Sequence, residues 1–103
     1  MSERIGKAWT LADLRARRDA ILAVAERNGA FNVRVFGSVA RGDSTSESDV
    51  DLLVTTKEGV SVFDLVGLWL ELKELLGCEV SLITDGIEDK RFLRRIQSDL
   101  VAL

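Results

Sequence analysis

The chain has 103 residues, a formal net charge of −3 and no histidine, and 47 % of its residues are hydrophobic while 30 % are charged. This length and composition predict one folded domain over residues 1–103 and exclude a disordered chain, because there is ample apolar surface to bury. The lack of histidine excludes every catalytic or zinc site that needs an imidazole, and the acidic balance argues against direct binding of nucleic acid.

The first half of the chain predicts one helix followed by two strands. Thr10 to Asp13 is typical of a helix-opening capping box, and Asn28-Gly29 is typical of a helix end. Phe31 to Phe36 alternates and is rich in β-branched and aromatic residues, which predicts a strand. After a polar segment from Gly37 to Ser48, the run from Val50 to Thr55 predicts a second strand.

The second half predicts a longer helix, a third strand and a short final helix. Ser61 to Asp64 forms a second capping box, and the helix that it opens should continue to Leu76. Glu79–Ile83 predicts the third strand, Ile87–Gln97 the last helix, and Leu100–Leu103 an edge strand or a cap on the core. This order indicates an α/β (α+β) fold in which helices cover a small sheet.

Gly37 and the residues after it predict a binding site for phosphate. Gly37 has no side chain, so another group can approach its backbone closely, and Ser38 supplies a hydroxyl. A helical turn that starts near Val39 would present free N–H groups to an anion, and Arg41 would add a cation. The segment is not a P-loop, because Asp43 follows the second glycine where a P-loop requires lysine.

Asp49 and Asp51 predict a metal site next to that turn. Alternation along a strand sends both carboxylates to one face and Val50 to the other. Mg²⁺ prefers oxygen ligands and is commonly held by one or two carboxylates together with substrate phosphates. Either motif alone is more often an ordinary turn or a solvated surface, but together they indicate a site for a nucleoside triphosphate with Mg²⁺.

Two stretches resemble one known family: Gly-Ser-Val-Ala-Arg-Gly at 37–42 and Ser-Asp-Val-Asp-Leu-Leu-Val at 48–54. They are similar to the DNA polymerase β-like nucleotidyltransferases, and more narrowly to the minimal nucleotidyltransferase (MNT) group. The resemblance covers most of the chain and implies that family's fold, a small mixed sheet flanked by helices. It also implies that Gly37 and Ser38 hold the triphosphate of ATP, while Asp49 and Asp51 bind one or two Mg²⁺ ions. Arg41 matches a recurrent arginine of the family.

One position departs from the family pattern. These enzymes generally carry a third carboxylate on the next strand, where this chain has Ser81. Glu79 lies two residues earlier and should face the same side, so it is the candidate replacement. The alternatives are that the activity is weakened or lost, and that Glu79 is simply a solvated strand residue.

The resemblance implies transfer of AMP from ATP to a hydroxyl of a partner protein. Similar minimal proteins are antitoxins that silence an all-helical HEPN-family ribonuclease toxin in this way, so the resemblance also implies a homo- or hetero-oligomer. One alternative is an antitoxin or nucleotide-binding module that acts by docking alone. A weaker alternative is an aminoglycoside-type transferase, for which so short a chain leaves little surface to form a drug pocket.

The sequence also indicates a location. The single cysteine, Cys78, cannot form an internal disulfide, which favours the reducing cytoplasm. No apolar segment follows Met1 to Arg4, so no secretory signal is predicted. The longest apolar stretch, residues 62–76, is interrupted by charged side chains and does not predict a membrane span.

Overall fold

A computed structural model describes residues 8–86 and 89–103. Its sheet has four strands in the order β3-β2-β1-β4. The strands are β1 (Ala30–Phe36), β2 (Val50–Thr56), β3 (Val80–Thr84) and β4 (Val101–Ala102). Strand β1 is antiparallel to β2 and β4, whereas β2 is parallel to β3. The predicted mixed sheet flanked by helices is therefore confirmed.

Five helices accompany the described strands. They are α1 (Leu11–Ala16), α2 (Arg18–Arg27), α3 (Gly37–Arg41), α4 (Val62–Leu76) and α5 (Lys90–Gln97). Both predicted capping boxes are present, because Thr10 accepts a hydrogen bond from the Asp13 N–H and Ser61 accepts one from the Asp64 N–H. None of the helices described over these ranges has the length and apolar character needed to cross a membrane.

The prediction of one continuous helix from Thr10 to Asn28 is wrong. The helix breaks at Arg17, whose φ of −109° and ψ of 17° lie outside helical geometry. The guanidinium of Arg17 lies 5.3 Å from the centre of the Trp9 ring and donates a hydrogen bond to the Leu75 carbonyl. Both contacts accompany the bend, and the sequence of residues 10–28 alone does not predict them.

Two further element boundaries differ from the prediction. Strand β3 begins at Val80, so Glu79 lies just before it. Helix α5 begins at Lys90 with Asp89 as its N-cap, and the predicted start at Ile87 and Glu88 falls outside the described residues.

The two faces of the sheet carry different cores. Helices α2 and α4 cover one face, where Val35, Leu52 and Leu68 are fully buried. Helix α5 packs on the other face through a smaller cluster that includes Phe36, Leu53 and Ile96. The predicted role of the last residues is confirmed in both forms, because β4 pairs with β1 and Leu103 is buried.

Strand register brings the candidate site together at one end of the α5-covered face. Asp51 at the start of β2 pairs with Phe36 at the end of β1, and on its other side with Ser81 of β3. The turn that follows Phe36 therefore lies beside Asp51. This end of the sheet therefore brings the predicted phosphate-binding turn and Asp51 together.

Candidate active site

A tight turn joins β1 directly to α3. Phe36 is extended and serves as the N-cap, and Gly37, the first residue of the five-residue helix, adopts a φ of 75°. Glycine reaches this left-handed region without the steric cost that a Cβ imposes. Val39 is buried and anchors the helix, which ends at Gly42 when the Gly42 N–H bonds to the Ser38 carbonyl over 2.9 Å. The predicted helical turn after Ser38 is confirmed.

Gly37 lies directly against Asp51. A Cβ placed on Gly37 would overlap the Oδ2 oxygen of the Asp51 carboxylate. The turn and the carboxylate thus occupy adjoining space, although 14 positions separate them in the chain. This contact unites the two motifs that the sequence predicted to work together.

The two aspartates differ in their surroundings. Val50 is fully buried on the α2–α4 face, which places Asp51 on the opposite side as the alternation predicts. Asp49 lies just before β2, so the predicted alternation does not extend to it. Asp49 is exposed, whereas Asp51 is half-buried. Burial raises the pKa of the Asp51 carboxyl above its ordinary value, the nearby Asp49 raises it further, and Arg41 opposes both.

These properties fit a hard cation. A carboxylate that is partly desolvated next to a second carboxylate is electrostatically unfavourable, and a bound cation would remove that cost. Among the described residues no three carboxylate or other metal-ligating side chains form a group that could hold an ion by themselves. Two carboxylates completed by substrate phosphates remain the arrangement in which Mg²⁺ is often found.

Arg41 contacts two carboxylates in the structure. Its Nη1 donates to Asp99 Oδ2 over 3.0 Å, and its Nε donates to Asp43 Oδ2 over 3.3 Å. The hydrogen bond with Asp99, followed by that with Asp43, raises the already high pKa of the guanidinium. Asp99 was not predicted from the sequence, because it lies 58 positions from Arg41 and belongs to no motif.

The loop between α3 and β2 is ordered by short polar contacts. The Ser44 hydroxyl donates to the Trp9 carbonyl, which ties the loop to the start of α1. The Thr45 N–H donates to the Ser48 hydroxyl over 2.9 Å, and the Thr45 hydroxyl accepts from the Glu47 N–H. These bonds hold the segment that leads to Asp49.

Among the described residues, Glu79 does not form a three-carboxylate group with Asp49 and Asp51. Its carboxylate lies 3.4 Å from the Lys73 ammonium, which also stands over the Trp69 ring. Ser81 pairs with Asp51 across the strands, as expected for the position of the missing acid. Glu79 precedes β3, and its largely exposed side chain is paired with Lys73.

Residues 17–103 match the family model described as the nucleotidyltransferase domain. The chain is 42 % identical over 64 residues to a protein of Methanocaldococcus jannaschii named "putative protein adenylyltransferase", and the match covers 62 % of this chain and 69 % of that one.

Solved structures show the same fold. A chain described as a "putative minimal nucleotidyltransferase" superposes with a TM-score of 0.78 at 42 % identity, covering 92 % of this chain and 97 % of that one. A structure of a tri-AMPylated Shewanella oneidensis HEPN toxin in complex with its MNT antitoxin also matches, with a TM-score of 0.66 at 14 % identity. That match covers 85 % of this chain and 69 % of that one, and it shows likeness of fold alone.

Proposed function

The chain belongs to the nucleotidyltransferase domain family, and we propose that it is a protein adenylyltransferase that moves AMP from ATP to a hydroxyl of a partner protein. The contact between Gly37 and Asp51 carries the proposal, because it sets a phosphate-binding turn against a partly buried carboxylate. Asp49 adds a second carboxylate near Asp51. A nucleoside triphosphate with its cation satisfies both halves of this site at once.

Each residue has a part in the proposed reaction. Asp49 and Asp51 would hold Mg²⁺, which supplies neutralisation of the phosphate charge when bound. Gly37 and Ser38 would bind the β and γ phosphates through the turn, with Arg41 beside them. The acceptor oxygen attacks the α phosphorus, the bond from that phosphorus to the bridging oxygen breaks, and pyrophosphate leaves. Glu79 is the proposed acceptor of the hydroxyl proton.

The proposed partner is an all-helical HEPN-type toxin, and the proposed role is that of its antitoxin. Support comes from the fold shared with an MNT antitoxin and from the relative named as a protein adenylyltransferase. We also propose that the pair acts in the cytoplasm, since the chain has a single cysteine and no internal disulfide.

The test is a transfer assay with the partner, Mg²⁺ and ATP labelled at either the α or the γ phosphate. Label should reach the partner only from the α position, together with a mass gain equal to AMP. Asp49→Asn and Asp51→Asn should each lower the rate about a hundred-fold or more, because each removes several kcal/mol of transition-state stabilisation. Asp19→Asn, at an exposed position of α2, is the matched control and should keep the wild-type rate.

One observation favours a second candidate, a module that silences its partner by docking alone. Glu79 is paired with Lys73, and Ser81 offers no carboxylate beside Asp51. In that case the Asp49→Asn chain would still silence the partner, with no label and no mass gain. Transfer that is present in the wild type and reduced in Glu79→Gln would instead support Glu79 as the proton acceptor.

A further inference from the structure

The segment after α5 reaches Arg41, the last residue of α3. Asp99 lies between α5 and β4, and its N–H donates to the Ile96 carbonyl over 2.9 Å. Ile96 is buried in the cluster with Phe36, whose ring meets that of Phe92 edge-on at 6.0 Å. Asp99 is therefore carried on backbone that the smaller core holds in place, directly opposite α3.

The two carboxylates on Arg41 are not equivalent. The Asp43 side chain is 63 % exposed and belongs to the loop next to Arg41, whereas that of Asp99 is 22 % exposed and is fixed from the other end of the chain. The Asp99 contact is also the shorter of the two. A triphosphate competing for the guanidinium would thus displace Asp43 more readily than Asp99, since water already solvates Asp43.

We propose that Asp99 is a positioning residue for the nucleotide, because it holds Arg41 through Nη1 while the triphosphate binds the remaining guanidinium N–H groups and displaces Asp43 from Nε. Arginine carries five N–H donors in a rigid fork, so one carboxylate can orient the group while phosphate oxygens occupy the rest. This inference rests on the proposed function. It assigns a role in nucleotide binding to a residue outside both motifs.

The test uses the full chain with its partner and separates KM for ATP from kcat. Asp99→Asn keeps a side-chain oxygen but loses the charge, and it should raise KM about five- to ten-fold with kcat changed less than two-fold. That pattern is expected when an interaction present in both the bound and the transition state is lost. Asp99→Glu restores the carboxylate and should recover part of the affinity, which keeps the test decisive even where Asp99→Asn folds poorly.

Two controls distinguish a role of Asp99 in positioning Arg41 from a purely structural role. Ile96→Val loosens the same segment without touching the carboxylate, so it should lower Tm and leave KM for ATP unchanged. In an Arg41→Ala background, Asp99→Asn should change KM no further, because its effect passes through Arg41. If Asp99→Asn lowers Tm as much as Ile96→Val does and leaves KM unchanged, the role of Asp99 is only structural. If Asp99→Asn lowers KM, Asp99 competes with the triphosphate for Arg41. Either result overturns the inference.

Binding of Mg²⁺–ATP measured by calorimetry distinguishes this failure from that of the proposed function. A wild-type chain that neither binds ATP nor transfers AMP would overturn both. A wild-type chain that does both, with an Asp99→Asn variant of unchanged affinity, would overturn the positioning role alone.

Discussion

At the scale of single residues, Gly37 has two separate reasons to be glycine. Its φ of 75° is strained for any residue with a Cβ, and the space that a Cβ would fill holds the Asp51 carboxylate. The first reason concerns folding and the second concerns the site. Gly59 has a φ of 88°, and a Cβ added there would meet nothing within 4 Å, so it shares the first reason only.

Gly37→Ala and Gly59→Ala should therefore differ sharply in activity. Both should lose about 1–2 kcal/mol of stability through left-handed backbone strain. Gly37→Ala should in addition displace Asp51 and reduce AMP transfer about a hundred-fold, whereas Gly59→Ala should transfer at the wild-type rate. Chemical denaturation and the labelled-ATP assay measure the two effects. Equal activities in the two variants would mean that the Asp51 contact has no bearing on the reaction.

The residues of the site were predictable to the extent that they depend on local geometry. Alternation along a strand was enough to place Asp51 of β2 opposite the buried Val50. The bond from Arg41 to Asp99 was not predictable, because it depends on where α5 and β4 return to the sheet. No local pattern carries that information.

At the scale of elements, one polar group ties the central strands together on the α5-covered face. Arg34 of β1 donates to Thr55 of β2 and to Asp85, the residue after β3, each over 3.0 Å. The Thr55 hydroxyl donates to the same Asp85 oxygen. Burial alone would raise the pKa of Asp85, but the hydrogen bonds from Thr55 and Arg34 lower it below its ordinary value.

This lowered pKa predicts how the stability of the folded chain depends on pH. A carboxyl whose pKa is lower in the folded state than in the unfolded state stabilises the fold at any pH above its unfolded-state pKa. That stabilisation is lost as the pH falls through the folded-state pKa. Asp85→Asn should cost about 1 kcal/mol at pH 7, since partial exposure screens the pair. The difference from wild type should shrink as pH falls below about 4. Urea unfolding across pH measures it, with Glu58→Gln as the exposed control.

The two helix starts with capping boxes were predicted, whereas the break in the first helix was not. Thr10 and Ser61 mark the starts of their helices through side chains that bond within three residues, and the sequence displays such pairs directly. The break at Arg17 is different, since arginine is a good helix former and no glycine or proline marks the position. The cation–π contact with Trp9 and the bond to the Leu75 carbonyl accompany it, and both are tertiary.

At the scale of the whole molecule, we expect binding of the proposed ligand to be coupled to unfolding. Gly37, Asp49, Asp51 and Arg41 meet only when β1, β2 and α3 are in place, so Mg²⁺–ATP should bind the folded chain alone. A ligand at a free concentration 100 times its Kd then adds about 2.7 kcal/mol to the free energy of unfolding. For a domain of this size that corresponds to a rise in Tm of roughly 10–20 °C.

The Asp51→Asn variant should differ from the wild type in how its Tm responds to ligand. Without ligand its Tm should equal or exceed that of the wild type, because the substitution removes a half-buried charge whose pKa burial has raised. With Mg²⁺–ATP its Tm should scarcely move. Thermal unfolding of both chains with and without ligand measures this. A full ligand-induced shift in Asp51→Asn would show that nucleotide binding does not need this carboxylate.

The pairing of β4 with β1 also has a consequence in time. A ribosome adds about 5–20 residues per second, so Val101 is synthesised roughly 3–13 s after Phe36. Until then the outer edge of β1 has no β4 to pair with, and Arg41 has no bond to Asp99 until residue 99 has been added. A nascent chain can therefore form these two contacts only after β1, β2 and β3 have all been synthesised.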